Sequence, residues 1–77
     1  MNEARILIVD DEPSSVELLG FYLKEKGYAV KCATNGRECL ENVVLFRPEI
    51  LILDIRLPDA DGLEILRYLK EGAWQPM

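Results

Sequence analysis

A chain of 77 residues with net charge −5 and 49% hydrophobic residues holds one small domain with enough apolar content to fold. The acidic balance and the absence of histidine argue against direct nucleic-acid binding, which needs Lys and Arg against phosphate, and favour a metal or a positively charged surface. No run of about 18 apolar residues is present to span a membrane. The N-terminus enters a strand too early to hold a signal peptide's apolar core, so the expected location is the cytoplasm.

The predicted elements alternate between strand and helix. The apolar run from Arg5 to Val9 reads as a strand buried on both faces. Pro13 suits the first turn of a helix. Val16, Leu19 and Leu23 recur at helical spacing, with Leu18 and Tyr22 beside them. Lys24, Lys26 and Gly27 mark that helix's end. Tyr28 to Ala33 is a short alternating strand, and Asn35-Gly36 signals the next helix start. Leu40, Val43 and Val44 give the second helix its apolar stripe, and Pro48 stops it. Ile50 to Leu53 is the third strand, and Leu57 to Gly62 a loop. Leu63, Leu66 and Leu69 mark a third helix ending near Gly72. This βαβαβα order implies an α/β fold with a parallel sheet and right-handed crossovers. Residues 73–77 follow no pattern and read as a loose tail. In it, Trp74 is either a tail residue or an anchor on apolar surface.

Three carboxylates stand out. Asp10 and Asp11 follow the first strand, and Asp54 follows the third. Parallel strands of one sheet would bring all three to the same C-terminal edge. Crowded carboxylates are expensive unless a cation neutralises them, and oxygen-only ligands suit a hard cation such as Mg²⁺. Singly, each acid has a blander reading. Acids are common in α/β loops, and Asp11 or Glu12 is a ready cap for the first helix. The combination is what points to a site. Ser14 and Ser15 are expected as first-turn residues without chemistry. Cys32 and Cys39 fit no metal spacing and are expected as small core residues.

The motif ILIVDDEP, the apolar run ending in Asp54, Pro58 four residues later and Gly62 four beyond that together resemble a response-regulator receiver domain. The resemblance covers residues 5 to about 71 and implies the first half of a flavodoxin-like fold: a three-stranded parallel sheet, order 2-1-3, with three helices. Residues 1–72 are then a partial receiver domain. The resemblance further implies that Asp54 accepts a phosphoryl group from a sensor histidine kinase or phosphotransfer protein. Asp10, Asp11, Asp54 and the Arg56 backbone carbonyl would hold Mg²⁺, and Pro58 and Gly62 would shape the loop beside them. Phosphoryl transfer needs charge neutralised on the equatorial oxygens, which a metal supplies.

Receivers continue for about two more βα units, one carrying a Ser or Thr hydroxyl and the other a Lys that both contact the phosphoryl group. No Lys here matches: Lys24, Lys26 and Lys31 precede the acceptor, and Lys70 lies on the third helix. The expectation is an impaired phosphoacceptor in a phosphorelay, not an enzyme, with no output domain of its own. The alternative is an interaction module that binds a kinase or another receiver without being phosphorylated. A metal-dependent phosphohydrolase fits less well, because no general base such as His is present. The third strand would expose an apolar edge, so a homo-oligomer joined there is also expected.

Overall fold

The computed structural model describes residues 4–73; residues 74–77 of the expected tail, Trp74 among them, lie outside the described residues. The elements are β1 (Arg5–Val9), α1 (Pro13–Glu25), β2 (Ala29–Ala33), α2 (Gly36–Leu45), β3 (Ile50–Leu53) and α3 (Gly62–Tyr68), closed by a π-type turn over Leu69–Ala73. β2 starts one residue later than the sequence pattern suggests. The sheet is parallel throughout, in the order β2-β1-β3, as expected.

The helix ends follow local chemistry. Pro13 opens α1, where no helical amide bond is lost, and Gly27 leaves it at φ 96°, in the left-handed region. Asn35 caps α2, its side chain accepting from the Glu38 amide at 2.8 Å. The Glu38 carboxylate accepts in turn from the Thr34 amide at 2.9 Å, one residue before the cap, so both sides of the helix start are tied. At the other end of α2, Arg5 Nε donates to the Phe46 and Arg47 carbonyls at 3.1 and 2.7 Å. It thereby satisfies acceptors that a helix end leaves open.

β1 is central, so both its faces are covered. Leu7 and Val9 join Ala33, Cys39, Val43, Ile65 and Leu69 beneath α2 and α3. Ile6 and Ile8 join Val16 beneath α1, with Leu19, Leu23, Tyr28 and Val30 at the margin. The pairing register sets Ile50 beside Ile6 and Ile52 beside Ile8, so both isoleucines look to the α1 side, where they stay 44% and 39% exposed.

Three expectations about apolar positions need correction. Val44 is exposed; Cys39, one helical turn before Val43, takes its place in the α2 stripe. Leu63 and Leu66 are exposed too, and the inward residues are Gly62 and Ile65 of α3 and Leu69 of the turn that follows it. The close approach of Gly62 to the sheet, described below, sets that rotation. Cys32 is exposed while Cys39 is buried. Cys32 lies on β2, an outer strand of the sheet, where fewer neighbours cover it. Burial pushes the Cys39 thiol up to about 11, which leaves it unreactive.

Candidate functional site

The C-terminal edge of the sheet is where the acids meet. The Asp10 amide donates to the Ala33 carbonyl at 3.0 Å and the Asp54 amide to the Val9 carbonyl at 2.9 Å. These bonds extend the strand ladder by one rung, so both aspartates are pinned to the sheet rather than carried on free loops. One Asp10 oxygen accepts from the Glu12 amide at 3.0 Å, and one Asp54 oxygen accepts from the Arg56 amide at 3.3 Å. Each is a short side-chain turn of the kind Asp makes two residues ahead. These turns aim the carboxylates at a common point.

Asp10, Asp11 and Asp54 each offer a carboxylate oxygen, and these oxygens lie within 4.8 Å of one another. Asp10 and Asp54 are half-buried and Asp11 is exposed. Glu12 occupies the cap position of α1, but its side chain makes no capping bond. The alternative that Glu12 is there to cap α1 therefore finds no support. Three carboxylates with no thiolate or imidazole among them fit a hard divalent cation. An open groove leads away from the cluster between α1 and β3, lined by Ser15, Val16, Leu19, Ile8 and Ile52.

The loop from Asp54 to Gly62 completes this edge. Arg56 and Asp61 bridge across it, the Leu57 amide donates to the Ala60 carbonyl at 3.3 Å, and the Gly62 amide donates to the Ile55 carbonyl at 2.6 Å. A Cβ on Gly62 would collide with the Asp54 carbonyl oxygen and lie 2.7 Å from Ile55 Cα. Glycine is required there for close backbone approach. Asp61 caps α3 by accepting from the Leu63 amide at 3.0 Å. Pro58 is exposed at the loop tip.

Asp59 was not legible as a special residue. Its two oxygens accept from the Gly36 amide at 2.6 Å and the Arg37 amide at 3.1 Å, at the start of α2. Those hydrogen bonds, the one from Gly36 foremost, hold its carboxyl below the usual carboxylate range. Its partners lie 22 and 23 residues away, so no local pattern announces the contact.

The family model for the response regulator receiver domain matches residues 6–76. The chain belongs to this family. Among curated relatives, this receiver is 45% identical over 68 residues to the transcriptional regulatory protein TrcR of Mycobacterium tuberculosis, covering 88% of the chain and 26% of that protein. It is 40% identical over 67 residues to the alkaline phosphatase synthesis regulator PhoP of Bacillus subtilis, covering 87% of the chain and 28% of that protein. Among solved structures, the BeF3-activated receiver domain of RstA from Klebsiella pneumoniae superposes with a TM-score of 0.86 at 31% identity, covering 92% of this chain and 60% of that one. The regulator TrrA of Thermotoga maritima, solved in complex with Mg(2+)-BeF, superposes with a TM-score of 0.82 at 41% identity, covering 88% and 59%. The chain thus spans about a quarter of the curated relatives' length and about three-fifths of these receiver structures. Response regulators serve two-component signalling, and a receiver domain is consistent with a place in a phosphorelay. Among the described residues, no helix is long and apolar enough to cross a membrane.

Proposed function

We propose that this receiver takes a phosphoryl group on Asp54 from a sensor histidine kinase or phosphotransfer protein, acting as the acceptor and not as an enzyme. The observation that carries this reading is the convergence of the Asp10, Asp11 and Asp54 oxygens within 4.8 Å. An Asp54 oxygen attacks phosphorus as the P–N bond of a phosphohistidine breaks, and the departing imidazole nitrogen keeps the electron pair and takes a proton. Asp10, Asp11, Asp54 and the Arg56 carbonyl would hold Mg²⁺, which when bound neutralises charge on the transferring group. Asp54 is kept in line by its ladder bond to Val9 and its turn to Arg56. The Mg(2+)-BeF complex of TrrA supports carrying this cofactor over to the present chain.

Residues 55–77 contain no Ser or Thr, and their one Lys, Lys70, sits past the end of α3. Intact mass after incubation with a small phosphodonor and Mg²⁺ tests the reading. One added phosphoryl group, absent from Asp54→Asn, is the expected result. Labelling on a serine, or equal calorimetric Mg²⁺ binding by wild type and an Asp10→Asn, Asp11→Asn double variant, overturns it.

The bare isoleucines on β3 favour a second reading, an interaction module that binds a kinase or another receiver without being phosphorylated. Absence of the adduct in wild type selects it. Either reading is compatible with self-association through β3, whose outer edge has no partner strand among the described residues. Such an edge invites strand pairing.

A further inference from the structure

The start of α2 is satisfied in an uneven way. The three amides of its first turn, which have no acceptor within the helix, are all bound: Glu38 N–H by the Asn35 side chain, and Gly36 and Arg37 N–H by the two oxygens of Asp59. A helix usually settles these donors with its own cap or with water. Here two of the three are taken by a residue of the loop that follows Asp54. Gly36 is part of the fit. A Cβ there would lie 2.8 Å from Ile65 Cδ1, 3.0 Å from Ala60 Cβ and 3.2 Å from Asp59 Oδ1, so the α2 backbone sits directly against the loop and α3.

We infer that Asp59 is a positioning residue for the acidic site: it clamps the tip of the Asp54–Gly62 loop to the start of α2 and so holds Arg56 in place beside Asp54. The inference rests on the reading of Asp10, Asp11 and Asp54 as a metal site. The base of the loop is fastened to the sheet by the Asp54 amide on the Val9 carbonyl, and its two ends are closed on each other by the Gly62 amide on the Ile55 carbonyl. Between those points, the hydrogen bonds within the loop join it to itself, from the Arg56 amide to Asp54 and from the Leu57 amide to Ala60. Leu57 and Ala60 give the tip a partly buried apolar footing. Asp59 adds two directional bonds from a neighbouring element, and direction is what an apolar contact lacks. A carboxylate accepting backbone N–H bonds at a helix start also gains from the dipole there.

Residues that orient a metal ligand typically change affinity about 10–100-fold when removed. Asp59 acts one step further out, so Asp59→Ala is expected to weaken Mn²⁺ binding by roughly 3–10-fold. The same variant should speed amide hydrogen exchange at Arg56, Leu57 and Gly62 by a similar factor, and Asp59→Glu should recover part of both effects. Asn35→Ala is the control: it removes a cap from the same helix start and lowers the melting temperature, yet should leave loop exchange and Mn²⁺ affinity as in wild type. Unchanged loop exchange in Asp59→Ala, or faster exchange with unchanged Mn²⁺ affinity, or an equal affinity loss in Asn35→Ala, overturns the positioning role. If wild type takes up no Mn²⁺ while Asp59→Ala alone loosens the loop, the metal reading fails and the clamp stands.

Discussion

Beneath α2 and α3, Leu7, Val9, Ala33, Cys39, Val43, Ile65 and Leu69 are all 6% exposed or less. Across the same sheet, beside α1, Ile50 and Ile52 remain 44% and 39% exposed, and Leu18 and Tyr22 on α1 remain 74% and 56% exposed. Among the described residues, two helices cover the first face and one covers the second. β1 and β3 are apolar on both sides, so for these two strands the difference lies in what covers the sheet. The first face holds the larger buried cluster and the second a smaller one, Ile6, Ile8 and Val16, with exposed apolar side chains around it; the second face borders the groove that leads to Asp10 and Asp54.

The contrast breaks most sharply at Leu69, which is fully buried. Leu69→Ala should lose about 2–5 kcal/mol, the usual range for emptying a buried leucine site, read as a fall in the urea midpoint. In a domain this small that is much of the total. A loss under 1 kcal/mol would mean that the covered face is not the stabilising one.

Gly62 tests how closely α3 must approach on that face. Gly62→Ala sets a Cβ against the Asp54 carbonyl oxygen and Ile55, backbone atoms that cannot turn aside. The expected cost is about 1–3 kcal/mol, as for other overpacked sites, with weaker metal binding because Asp54 itself must shift. Wild-type stability and affinity would show that the loop has slack.

The bare face answers to polar substitution differently. Ile50→Thr with Ile52→Thr should lower association in sedimentation at micromolar concentration while changing monomer stability by no more than about 1 kcal/mol, since both side chains already meet solvent. A wild type that sediments as a folded monomer at every concentration would show that one covered face is sufficient.

The smallest effect concerns acid. Asp59 has its carboxyl held below the usual range in the folded chain. Its contribution is therefore complete above the unfolded value, near pH 4, and fades as pH falls through the lower folded value. The difference in melting temperature between wild type and Asp59→Asn should be constant from pH 7 to about pH 5 and shrink below pH 4. A difference that grows on acidification would contradict the assigned hydrogen bonds.

The order of elements was legible from the sequence alone because it depends on short-range chemistry. Runs of apolar residues, Pro13 at a helix start, the Asn35-Gly36 signal and Gly27 after α1 act over a few residues, and all appear as expected. The meeting of Asp10, Asp11 and Asp54 was legible too, because parallel strands must end at one edge. Helix rotation was not. Leu63 and Val44 carry the same apolar label as Ile65 and Cys39, and only the contact of Gly62 with Ile55 and the docking of α2 decide which of them face the sheet. Asp59 could be read only from the fold, since its hydrogen bonds reach across 22 and 23 residues. The uneven cover of the two faces was likewise settled by tertiary structure: composition counts apolar residues, but burial depends on which element lies over each strand.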